Sequence, residues 1–77
     1  MNIEQALNSI AGQVLDYDLI SNNTLFALVK SEKGNISIRQ AFRNKYGAYN
    51  GFKMVKMIKS GEELARLDFS DFIENLR

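Results

Sequence analysis

The hydrophobic positions change their period along the chain. Ile3, Ala6, Leu7 and Ile10 recur at helical spacing with Asn2 available as a cap, so residues 2–11 predict a short amphipathic helix that Gly12 ends. From Val14 to Ile20 the period falls to two. Leu15, Tyr17 and Leu19 take one face and Asp16 and Asp18 the other, the pattern of a half-buried strand. Ser21-Asn22-Asn23 supplies turn chemistry, and Thr24 to Val29 is rich in β-formers, so the two runs predict a hairpin.

Lys33-Gly34-Asn35 makes a second turn, after which Ile36, Ile38, Gln40 and Phe42 alternate with Ser37, Arg39, Ala41 and Arg43. This predicts a third strand with one basic face. The same residues admit a helix: Ser37 and Gln40 fit a capping box, Ile38, Ala41, Phe42 and Tyr46 recur at helical spacing, and Gly47 could close it. The β-prone Ile-Ser-Ile-Arg start favours the strand. Tyr46 to Gly51 reads as an exposed connection. Phe52 to Ile58 reads as a strand that turns at Ser60-Gly61 into a fifth strand near residues 63–68, although Ser60 with Glu63 could equally open a helix. Asp68 or Ser70 then caps a last helix that buries Phe69, Phe72, Ile73 and Leu76. The expected fold is α+β: a small antiparallel meander of four to five strands with a short N-terminal and a C-terminal helix, in one domain spanning residues 1–77.

With 77 residues and no cysteine, the chain has room for one small core, and a core of that size supplies only ~3–5 kcal/mol of net stability. Sharing apolar surface with a second copy would relieve this, so a homodimer is expected. The absence of Cys and His excludes zinc and haem ligation, thiol catalysis and histidine base catalysis within one chain. Asp16 and Asp18, two apart in a strand, could hold Mg²⁺, but carboxylates that guard a strand edge are the plainer reading. No enzyme activity and no cofactor are expected. Apolar runs are too short to cross a bilayer, and Glu4 stands where a signal peptide would be basic. A cytoplasmic protein with no membrane partner is expected.

Charge changes the picture. Residues 1–29 carry Glu4, Asp16 and Asp18 with no base. Residues 30–59 carry Lys30, Lys33, Arg39, Arg43, Lys45, Lys53, Lys56 and Lys59 against Glu32, and residues 60–77 set five acids against Arg66 and Arg77. These blocks of −3, +7 and −3 hide a basic centre inside a formal net charge of +1. Such a centre suits an anionic partner or a charge-complementary self-contact. Its candidate binding residues are Arg39, Phe42, Arg43, Lys45, Tyr49, Lys53 and Lys56, with Tyr46 and Phe52 interleaved, because single-stranded nucleic acid is held by cations on phosphates and rings on bases. If residues 36–43 and 52–58 pair as antiparallel strands, Arg39, Arg43, Lys53 and Tyr49 are expected to share a face. The plainer alternative is that the lysines solubilise the sheet and the phenylalanines fill the core.

The stretch Gly34-Asn35-Ile36-Ser37-Ile38-Arg39, the ring at Phe42, Lys53 and the terminal Leu67-Asp68-Phe69-Ser70-Asp71-Phe72-Ile73-Glu74-Asn75-Leu76 together resemble the transcriptional positive-cofactor family of single-stranded-DNA-binding coactivators. The resemblance covers about half the chain. It implies a curved antiparallel sheet, a dimer through the last helix and single-strand binding by Arg39, Phe42 and Lys53. The chain departs from the family at Lys53-Met54, where the family has lysine-glycine, in the added Val55–Arg66 segment and in the N-terminal helix. A second class of function stays open: a small interaction protein, such as a phage- or plasmid-encoded modulator docking on one host protein, steered by the charge blocks.

Overall fold

A computed structural model describes residues 3–77. Positive φ at Ser21 (55°) and Asn22 (60°) reverses the chain between β1 (Gln13–Ile20) and β2 (Thr24–Lys30), and the Asn23 N–H closes the turn on the Ile20 carbonyl at 3.3 Å. Short polar side chains tolerate this left-handed region, and turns of this hand match the twist of paired strands. Gly34, at φ 88°, turns β2 into β3 (Ile36–Phe42), with Ser31 and Gly34 bonded across the loop. β4 (Lys53–Ile58) completes an antiparallel sheet in the order β1-β2-β3-β4. With α1 (Ile3–Asn8) before it and α2 (Glu62–Leu76) after it, the architecture is the expected α+β meander, with four strands.

The expected fifth strand at 63–68 is instead the start of α2. Ala65, Phe69 and Ile73, four apart, are all buried, and Phe72 meets Phe26 edge to face at 5.4 Å. The helical stripe therefore begins at Ala65, one turn before Phe69, and the expected caps Asp68 and Ser70 lie mid-helix. Gly61 occupies the N-cap without a side-chain bond, while the Ser60 hydroxyl donates to Asp68 Oδ2 at 3.2 Å. The rival helix at residues 37–47 does not form, because Ile36–Phe42 is zipped between β2 and β4.

α1 is shorter than the expected 2–11. Ser9 donates its hydroxyl to the Ala6 carbonyl at 2.6 Å and Ile10 bonds back only three residues, to Leu7. Such side-chain competition ends helices. Asn2, expected as the cap, lies outside the described residues. Gly12 does not end the helix; it lets the chain enter β1 against β2. Its φ is +110°, and a Cβ there would stand 2.5 Å from the Lys30 carbonyl oxygen.

Two cores share the sheet. Beneath α2 lie Leu15, Phe26, Leu28, Ile36, Ile38 and Ile58; beneath α1 and the β3–β4 loop lie Leu25, Ala41 and Tyr49 with Ala6. β2 serves both, and all five residues Leu25–Val29 are buried. A bulge in β1 corrects the expected grouping of Leu15 with Tyr17 and Leu19. Val14 pairs with Val29 and Asp16 with Leu28, leaving Leu15 as the extra residue. Leu15 joins the α2 core, on the same side as Asp16 and Asp18, while Tyr17 and Leu19 face the α1 side.

Candidate nucleic-acid interface

Strand register decides which basic residues can act together. Residues paired across an antiparallel ladder share a face. On the α1 side one row runs Tyr17, Ala27, Arg39 and Met54, and the next runs Val14, Val29, Ser37 and Met57. α1 covers only the Leu19–Leu25–Ala41 end of this side. On the remainder Tyr17 is 51% exposed at the β1 edge and Met54 and Met57 are exposed at the β4 edge, whereas Ala27, Val29 and Ser37 between them are buried, so the open part of this face is its rim. The methyl of Ala27, between Tyr17 and Arg39, is fully buried, and the two larger residues stand two strands apart, about 10 Å. Arg39 Nε donates to Ser37 Oγ at 3.4 Å, which holds the guanidinium along its own strand. A groove of about 480 Å³ between α1 and β1, lined by Leu7, Ile10, Val14 and Tyr17 among others, adjoins this face.

The expected site residues divide between the two faces. Arg43 pairs in a β-bridge with Tyr49, beyond the end covered by α1, and its side chain lies along Gly47, whose φ is +83°. Tyr49 itself is only 8% exposed and packs with Ala6, Leu25 and Ala41, so its ring is core. Phe52 is half-buried against the same cluster. Phe42, Lys53 and Lys56 belong to the α2 side: Phe42 pairs with Thr24, Gln40 with Lys53 and Ile38 with Lys56. The expectation that Arg39 and Lys53 share a face is therefore incorrect. Arg39 pairs with Met54, which sets Lys53 one residue out of phase. Lys56 borders a cleft with Asp68, Asp71, Phe72 and Leu76 of α2. Lys45 sits at the loop tip with its ammonium 5.1 Å from the centre of the exposed Tyr46 ring. That loop is set by Asn44, whose side chain accepts the Tyr46 and Ala48 N–H groups.

Tyr17, Met54 and Met57 join the candidate surface although sequence periodicity did not single them out; only the register brings them beside Arg39.

Carboxylates border this face at its β1 edge, where Glu4 and Asp16 line the groove beside Tyr17. Asp16 and Asp18 accept the N–H groups of Tyr17 and Leu19, each at 2.8 Å, and Asp18 pairs with Arg77 at 2.7 Å. Pairing with Leu28 and Phe26 sets Asp16 and Asp18 on the α2 side of the ladder, although Asp16 also lines the groove between α1 and β1. Of the basic centre, Lys30 pairs with Glu62 at 3.6 Å; Arg39, Arg43, Lys53 and Lys56 make no ion pair among the described residues. Acids thus line the β1 edge and bases the β3–β4 side, about 14 Å apart across the sheet. Among the described residues no helix is long and apolar enough to cross a membrane.

Comparison of the chain with protein-family models, curated proteins and solved structures finds no match.

Proposed function

We propose that this protein is a non-enzymatic module that binds single-stranded nucleic acid on its open sheet face. One observation carries the reading. Tyr17, an exposed ring, and Arg39, a guanidinium without an ion-pair partner among the described residues, stand in one row of the same sheet face. Ring faces stack on bases and guanidinium groups hold phosphates, the combination that sequence-tolerant single-strand binding uses. Beyond the end covered by α1, Arg43 and the loop-tip Lys45 add two further cations, separated from Arg39 by the buried Ala41. In this reading Phe42, Lys53 and Lys56, on the α2 side, take a lesser part than their positions in the sequence suggest.

The resemblance to the positive-cofactor coactivators is part of the same proposal: β3 bears Ile36-Ser37-Ile38-Arg39, and α2 follows β4 as the terminal helix. So are a cytoplasmic setting and a homodimer, whose contact we assign to Leu64 and Leu67, exposed on the outer side of α2. The test is fluorescence anisotropy of a labelled mixed-sequence single-stranded oligonucleotide at low and physiological salt, beside a duplex of the same sequence. Saturable binding that prefers the single strand and persists at physiological salt is expected. Absence of binding at low salt overturns the reading.

The alternative, a small protein-interaction module or inhibitor of a host protein, is favoured by a different observation: the apolar side chains exposed along β4.

A further inference from the structure

The two edges of the sheet are finished differently. Along β1, the side chains of Asp16 and Asp18 bond the Tyr17 and Leu19 N–H groups, so those donors are already occupied by the chain itself. The 2.7 Å Asp18–Arg77 pair further dresses that edge, while a bulge is common to both edge strands. β4, at the other edge, pairs only with β3, and among the described residues no side chain bonds its backbone. An unpaired strand edge presents a row of donors and acceptors that another strand can take up.

The side chains of β4 are sorted as well. Lys53 and Lys56 face the α2 side, while Met54 and Met57 face the open side; Met54, Val55 and Met57 are between 42% and 55% exposed. The register shift in β4 produces this sorting. It lets two lysines three apart in sequence share a face, where simple alternation would separate them. Phe52 to Lys59 contains no acid, and Lys53, Lys56 and Lys59 have no ion-pair partner among the described residues, although Lys56 shares a cleft with Asp68 and Asp71 of α2, which leaves Lys53 the cation farther from those acids.

We propose that the β4 edge receives an extended, acidic segment of a partner protein as a fifth strand, its alternate apolar residues lying beside Met54 and Met57 and its carboxylates beside Lys53 and Lys56. Main-chain bonds give such strand addition its affinity, and alternate side chains give it specificity. A second copy docking β4 on β4 would set lysines against lysines, so charge selects a different and acidic partner. Lysines on an edge discourage indiscriminate pairing. Here they also define the one kind of strand that is not repelled.

The probe is a labelled, acetylated and amidated octapeptide of alternating valine and glutamate, titrated against the full chain by anisotropy and followed by backbone amide NMR. Saturable binding is expected, with shifts in the Lys53–Ile58 amides and none at Tyr17 or Leu19. The same peptide with lysine for glutamate should bind at least tenfold more weakly, as should the acidic peptide to a Lys53→Glu/Lys56→Glu variant. An acidic peptide N-methylated at alternate residues, tested on the unaltered protein, should also lose at least tenfold, which keeps the test independent of the variant's folding. Absence of binding at millimolar peptide, equal binding of the acidic and basic peptides, or shifts mapping away from β4 overturns the proposal. So does displacement of the peptide from β4 by a single-stranded oligonucleotide, which would assign the edge to nucleic acid.

Discussion

The Arg66 guanidinium on α2 donates to the carbonyl oxygen of Leu15 at 2.7 Å, bonding the helix to the bulge of β1. The second nitrogen of the fork lies 3.6 Å from Glu62, one turn back, and Glu62 also reaches Lys30 at 3.6 Å. A bulge residue stands out of the regular ladder, and a charged donor is a strong partner for its carbonyl. Because the side chain is about half exposed, the bond is worth less than a buried one. Arg66→Ala should lower the unfolding free energy by about 1 kcal/mol in urea titrations, whereas Glu62→Gln, which disturbs only exposed ion pairs, should change it by less than about 0.5 kcal/mol.

Glycines 12 and 34 offer a paired comparison. Both have positive φ, but a Cβ at Gly12 would stand 2.5 Å from the Lys30 carbonyl oxygen, whereas nothing lies within 4 Å of one at Gly34. Gly34→Ala carries backbone strain alone, about 1 kcal/mol. Gly12→Ala adds a backbone clash and should cost at least about 1 kcal/mol more. Thermal melts of the two variants at equal concentration check the difference.

Asp16 and Asp18 are expected to protect the β1 edge through their oxygen acceptors as well as their charge. In the double variant Asp16→Ala/Asp18→Ala the Tyr17 and Leu19 amides should exchange faster with deuterium, and association should begin at a lower protein concentration in sedimentation velocity. The double asparagine variant keeps an acceptor oxygen and loses the charge. If slow exchange survives in it, the hydrogen bonds supply the protection; if not, the negative charge does.

Nucleic-acid binding should separate the two faces of the sheet. Tyr17→Ala should weaken a bound single strand by about 1–3 kcal/mol, the worth of one stacked base. Arg39→Ala should reduce the slope of log affinity against log salt by roughly 0.7–1, the loss of one phosphate contact. Lys53→Ala should leave that slope nearly unchanged. An equal effect of Arg39→Ala and Lys53→Ala on the slope would remove the open face as the site.

Both hairpins are legible in the sequence because a period of two and polar turn residues signal locally. What escaped the sequence is register. Alternation groups Leu15 with Tyr17, but one inserted residue in β1 moves Leu15 to the opposite side. Arg39 and Lys53 lie fourteen positions apart, and no local pattern counts how the intervening loop sets their phase; pairing with Met54 decides it. The segment 62–68 was ambiguous for a different reason. Leu64 and Leu67 are exposed in the structure, so the apolar residues there did not mark the buried stripe, and only its continuation through Phe69 and Ile73 does. Of the candidate site, Arg39 and Arg43 are legible as bases on β3 and its extension, while Tyr17 is hidden in β1, two strands away.

The central strand has a consequence for how the molecule comes apart. Leu25 and Phe26 are neighbours in β2, yet one packs beneath α1 and the other beneath α2, so each layer uses the same five-residue wall. That wall cannot leave without opening both layers. The amides of Leu25–Val29 should therefore exchange only through complete unfolding, and a cavity made on one side, as by Phe69→Ala, should accelerate them as much as an equally destabilising change at Tyr49 on the other. This places the protein's cooperativity in a strand that touches almost no water.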